Sequence, residues 1–156
     1  MPTLDYADTT QAAVARFIDF YQHLKPDTLG WIEAVYCPTA HFRDPFNDVH
    51  GTAAIRRVFE DMFTMVQDDA RFVIVEHVAQ GQQAFFTWQF HFRLRRWQRS
   101  KHFCIEGSSH VRFDEQCCVV YHRDYWDKAQ ELYEHFPVLG ALMRGLRKAG
   151  ALSNTE

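Results

Sequence analysis

The residues best suited to chemistry lie close together near the end of one hairpin. His122, Asp124 and Trp126 are spaced two apart. Successive side chains of a strand point to opposite faces, so these three share a face, roughly 7 Å from one to the next. An imidazole beside a carboxylate suits proton transfer. If that face looks into a cavity, it is an acid/base site with an aromatic platform. If it looks at solvent, it is an ordinary polar face. The pair could also be a structural polar network, bonded to each other or to Arg43, and Trp126 could be core.

Asp44 is the second candidate carboxylate. Pro45 follows it and pushes its backbone out of the helical region. That constraint aims a short side chain with little freedom, although Asp before Pro also reads as a simple turn former. His91 alternates in parity with Trp88, Phe90 and Phe92, so the imidazole and the rings face opposite sides of a strand. Either His91 faces the pocket and the rings face a partner, or the reverse; the first arrangement is favoured.

Other chemistries find little support. The nine histidines contain no HExxH or HxH spacing and the four cysteines no CxxC pair, so no metal or cofactor is expected. Cys117 and Cys118 have no basic neighbour in sequence to lower a thiol pKa. All four thiols read as reduced, which fits a cytoplasmic protein. Arg93, Arg95, Arg96, Arg99 and Lys101 surround Trp97, but the net charge of −3 favours a solvated hairpin tip over a nucleic-acid surface. No apolar run approaches the ~20 residues of a membrane span, and the first residues lack the pattern of a signal peptide.

The elements that must position these groups follow from hydrophobic periodicity. Length and composition, 156 residues with 47% hydrophobic and 15% aromatic, fit one folded domain over 1–156. Asp8 to Gln11 has the form of a capping box, and Val14, Phe17, Ile18, Tyr21 and Leu24 repeat at helical spacing. Pro26 ends that helix. A short second helix carries Leu29, Ile32, Val35 and Tyr36 inward and stops at Pro38. A short strand is expected over Ala40 to Asp44. Gly51-Thr52 opens a third helix with Ile55, Val58, Phe59, Met62, Phe63 and Val66 on one stripe. The period then changes to two. Strands are expected over Arg71 to Ala79, Ala84 to Arg95, His102 to Phe113 and Cys118 to Trp126, with the last turn at Asp114-Glu115-Gln116. A terminal helix is expected to open at Asp127, with Leu132, Leu139, Leu142 and Leu146 on its stripe and Pro137 as a kink. The class is α+β: three helices on the concave face of a curved antiparallel sheet, and a C-terminal helix.

This order resembles the nuclear transport factor 2-like superfamily, in its SnoaL-like and ketosteroid isomerase-like branch. The resemblance covers roughly residues 10 to 127. It rests on Arg43-Asp44-Pro45, on HGTAAIRRVF from His50 to Phe59, and on VRFDE from Val111 with Tyr125-Trp126 after it. It implies a cone around a deep pocket and a homodimer joined sheet to sheet. Asp44 matches the isomerase base. The isomerase oxyanion hole matches Phe17 and Ser109, a non-donor and a short, weak donor, so steroid isomerisation is not expected. The pocket would be lined by Phe17, Tyr21, Phe42, Phe59, His91, Ser109 and Trp126. Asp44, His122 and Asp124 would be catalytic, with Asp44 pushed upward in pKa by desolvation. The activity implied is a cofactor-independent isomerase, cyclase or dehydratase acting on a small apolar cyclic carbonyl compound. A non-catalytic dimeric module binding a hydrophobic ligand or a partner protein is the alternative, because the fold hosts both.

Overall fold

The computed structural model describes residues 6–127. The terminal helix expected after Asp127 lies outside the described residues.

Helix α1 (Tyr6–Gln22) buries Val14, Phe17 and Tyr21 of the predicted stripe, with Ile18 partly buried, and Leu24 joins the core just past its end. It begins at Tyr6, so position 8 falls inside the helix and not at its N-cap position. Thr10 ties it to the sheet by donating to the Gly81 carbonyl at 2.8 Å. Pro26 stands at the start of a 3₁₀ turn, Pro26–Trp31, which runs into a single α-helical turn, α2 (Ile32–Val35). Pro fits a first helical turn because its missing N–H has no partner there.

Strand β1 (Tyr36–Arg43) begins earlier than expected and claims Tyr36. Pro38 explains this: it forces Cys37 extended, so the helix must already have ended. Pro38 also sits where β1 breaks register with its neighbour, between Tyr36 and His41, the irregular position in a sheet that tolerates a missing donor. A short strand β2 (Asp48–His50), too brief to show alternation in the sequence, folds back on β1. Gly51 then turns the chain into α3 (Thr52–Met65) at φ 88°, a left-handed value that a side chain would strain. Helix α3 buries Ile55, Phe59 and Phe63.

The remaining strands are β3 (Arg71–Gln80), β4 (Gln83–Phe92), β5 (Phe103–Phe113) and β6 (Val119–Tyr125). They form the expected meander, and the six strands lie in the order β2-β1-β6-β5-β4-β3. The sheet is mixed, not wholly antiparallel, because β1 runs parallel to β6. Two elements far apart in sequence thus lie side by side and point the same way.

One face of the sheet meets the helices. Alternation assigns it: Phe86, Trp88, Phe90 and Phe92 of β4 are buried there, as are Ile105, Ser109, Val111 and Phe113 of β5. This corrects the assignment of the β4 rings to a partner. They belong to the chain's own core. His91 is corrected with them. It lies on the outer face, stacked on His102 at 5.1 Å, with Nε2 3.2 Å from Gln89.

Candidate active site

The site grows from the register of β1 and β6. Phe42 pairs with His122, and Arg43 with Arg123. In a parallel pair, residues at matched positions share a face, so Asp44 and Asp124, one step past the last pair, fall on the core side together. They line an open cleft of about 490 Å³ with Pro45, Tyr125 and Trp126, rimmed by Arg43 and Arg123.

Asp44 is gripped by its own turn. Its Oδ1 accepts from the amides of Phe46 at 2.7 Å and Asn47 at 2.6 Å, and its Oδ2 from the Asn47 side chain at 2.9 Å. The turn-former reading therefore holds alongside the cleft position. Burial pushes the Asp44 carboxyl above the ordinary range, against the hydrogen bonds from Asn47 and Phe46, and the neighbouring Asp124 adds to the rise. Trp126 meets Phe46 edge-on, centroids 5.4 Å apart, and forms an aromatic wall beside it.

Asp124 is held from behind. Ser109 donates to its Oδ1, and His122 Nε2 lies 2.7 Å from the same atom. His122 itself is only 1% exposed and does not reach the cleft. Its Nδ1 lies 2.6 Å from the Tyr36 hydroxyl, which lies 2.6 Å from the Tyr21 hydroxyl. Trp88 Nε1 donates to Ser109 Oγ at 2.8 Å.

One assignment of protons satisfies every member. Burial raises both tyrosines well above the usual phenol range, so both remain O–H donors. Tyr21 donates to Tyr36, Tyr36 to Nδ1, and His122 Nε2–H to Asp124. The tautomer follows from this network. Two of these donors, Ser109 and His122, end on the Asp124 carboxylate, and the others hold those two in place.

The aromatic residues expected to line a pocket have a different job. Phe17, Tyr21 and Phe42 pack around His122 at centroid distances of 5.4, 5.7 and 4.9 Å. Phe59 closes on Phe42 and Tyr21 at 5.9 Å each. These rings fill the space between the helices and the sheet, and none of the four lines the cleft. Of the expected pocket residues, Trp126 lines it and Ser109 supports its floor.

Tyr36 and Trp88 carry the network, yet periodicity marks them only as apolar residues. The sequence holds a further signal for each. Pro38 makes Tyr36 extended. A buried indole needs an acceptor for its N–H, and Ser109 is the hydroxyl across the strand.

A SnoaL-like domain model matches residues 14–122, most of the described chain. The chain belongs to the SnoaL-like domain family. No curated protein matches it. Solved structures place this SnoaL-like domain among known folds. One is a SnoaL-like polyketide cyclase of Shewanella putrefaciens, with TM-score 0.65 and 17% identity over 80% of this chain and 93% of the other. Another is an LEH-like epoxide hydrolase of M. tuberculosis, with TM-score 0.62 and 13% identity over 81% and 84%. A third is a Catenulispora acidiphila protein with a ketosteroid isomerase-like fold, in complex with trimethylamine, with TM-score 0.64 and 12% identity over 77% and 88%. At these identities the likeness is one of fold. Among the described residues no helix is long and apolar enough to cross a membrane.

Proposed function

We propose that the chain is a cofactor-independent acid/base enzyme of isomerase, cyclase or dehydratase type, acting on a small cyclic carbonyl compound. The observation that carries this reading is the pair of carboxylates, Asp44 and Asp124, lining one cleft in unlike surroundings. Asp124 accepts from Ser109 and His122, which fix the direction in which it faces the cleft. Asp44 is pushed upward by burial and by Asp124, so it holds a proton to higher pH and is suited to return one. Trp126 offers an apolar wall for a ring. His122 is a positioning residue, since Asp124 stands between it and the cleft. Ser109 directs its hydrogen to Asp124 and Phe17 has none to give, which argues against a steroid isomerase. The names of fold relatives, a polyketide cyclase and an epoxide hydrolase, are compatible with a cleft that moves protons.

The test works with simple ring compounds in place of the natural substrate. Cyclic ketones and enones are incubated with the protein in D₂O, and exchange at the α-carbon is followed by NMR. Accelerated exchange is expected for at least one ring size, falling by about 10²–10⁴-fold in Asp124→Asn. Rates equal to buffer across the panel would defeat the proposal.

One observation favours a second reading, a binding module. Phe17, Tyr21, Phe42 and Phe59 pack as core, so the domain interior is committed to stability. In that case ring compounds should shift the Trp126 indole signal without any exchange.

A further inference from the structure

We propose that Cys37, Asp114 and Cys118 form a binding site for a thiophilic divalent cation of the zinc type. The site lies on the other side of the sheet's parallel seam from the hydrogen-bonded tyrosines, where the start of β1 meets the turn between β5 and β6. One ligand atom from each residue, two sulfurs and a carboxylate oxygen, falls within 4.8 Å of the others. Two thiolates and a carboxylate are a ligand set for tetrahedral zinc, with water as the fourth ligand.

The carboxylate is already set for the task. Its Oδ1 accepts from the amides of Gln116 at 3.0 Å and Cys118 at 2.9 Å. Its Oδ2 points at the Cys37 thiol, 3.0 Å away. Backbone donors thus fix one oxygen and leave the other aimed at the sulfurs, the outer support that orients a metal ligand. Cys117 makes the turn possible by taking φ 64°, which brings Cys118 back beside Asp114. Among the described residues no Lys or Arg forms an ion pair with Asp114. On binding, two S–H bonds break, two metal–sulfur bonds form, and two protons pass to solvent.

A second cluster, His41, Asp48 and His50, is a weaker candidate. It is exposed, His41 Nε2 is already engaged with Asp48 at 2.6 Å, and the Arg43 guanidinium lies 3.6 Å from the other carboxylate oxygen. A guanidinium there repels a cation.

The experiment uses Co²⁺ and Zn²⁺ on the full chain, kept reduced and freed of metal by a chelator. Co²⁺ should give visible bands of a tetrahedral site and a near-ultraviolet thiolate-to-cobalt band at one ion per chain. Zn²⁺ should displace it, release two protons, and raise the melting temperature. Affinity should weaken as pH falls, since protons compete for the thiolates. Cys118 is half-exposed, so Cys118→Ser is chosen to keep the fold, checked by circular dichroism. It should reduce the thiolate band and weaken binding by at least about 10–100-fold. Cys104→Ser, on the outer face, should change nothing. A cobalt spectrum lacking the thiolate band, which the histidine cluster would give, overturns the proposal. So does a thiolate band that survives Cys118→Ser.

Discussion

Asp44 shows how one residue can serve both structure and chemistry. Its carboxylate closes the turn to Asn47 and faces the cleft beside Asp124. Burial raises its pKa in the folded state above the unfolded value. The linkage has a definite sign. A raised carboxyl favours the folded state fully at pH below the ordinary carboxylate value of about 3.9, and that contribution is lost as pH rises through the folded pKa. Above the folded pKa the fold therefore carries the cost of a buried charge. Asn in place of Asp keeps an acceptor for the Phe46 and Asn47 amides and removes the charge. Asp44→Asn should raise the melting temperature at pH 7, and the gain should shrink toward zero below pH ~3.9. Calorimetry at the two pH values decides it. A loss of stability at pH 7 would mean that the turn hydrogen bonds need the full charge.

At the scale of elements, the site depends on two strands lying parallel and on a third lacking a side chain. The β1–β6 pairing sets Asp44 beside Asp124. On β5, Gly107 stands opposite Trp88, and a Cβ there would collide with the indole. With only hydrogen at that point, the indole lies flat across the backbone and its N–H reaches Ser109. Gly107→Ala should displace Trp88, break that bond and free the Ser109 hydroxyl to turn from Asp124. Overpacking of this kind costs about 1–3 kcal/mol. Urea unfolding should register the loss, and the Trp88 indole proton should lose its hydrogen-bonded shift. An unchanged indole signal would show that the strand gives way instead of the ring.

At the scale of the molecule, the outer sheet face carries several exposed hydrophobic side chains among the described residues. Val78 is 69% exposed, Val75 54% and Phe85 47%. Beside them a row of rings crosses the strands. Phe85 stacks on His110 at 4.4 Å, His110 and His41 both meet Tyr121, and His41 stacks on His50 at 4.2 Å. Burial, with Arg112, lowers the His110 pKa, so that ring suits an apolar contact. We propose that this face joins two copies into a homodimer, through Val75, Val78 and Phe85 in place of the buried Trp88, Phe90 and Phe92. Light scattering at micromolar concentration should give twice the chain mass. Val78→Glu with Phe85→Glu should give the single-chain mass without loss of fold. A wild-type chain that already runs as a monomer would refute the interface.

The sequence by itself determined the long elements and the alternation of their faces, because both depend on local spacing. The helical stripe of α1, the two-residue period of β4 and β5, and the shared face of His122, Asp124 and Trp126 all follow from positions a few residues apart. Pro38 marked the end of the second helix just as locally, although Tyr36 before it belongs to β1 and not to that helix. Tertiary structure alone decided what each face meets. Alternation separates His91 from Trp88 but is symmetric, so it cannot say which one turns toward the helices. Whether Phe17, Tyr21, Phe42 and Phe59 line a void or fill it depends on how closely α1 and α3 approach the sheet. The network from Tyr21 through Tyr36 and His122 to Asp124 spans about a hundred residues of chain, and Cys37 meets Asp114 across a separation of 77. Those contacts exist because β1 pairs parallel to β6, and a parallel pairing needs a long crossover that leaves no signature at the residues it brings together.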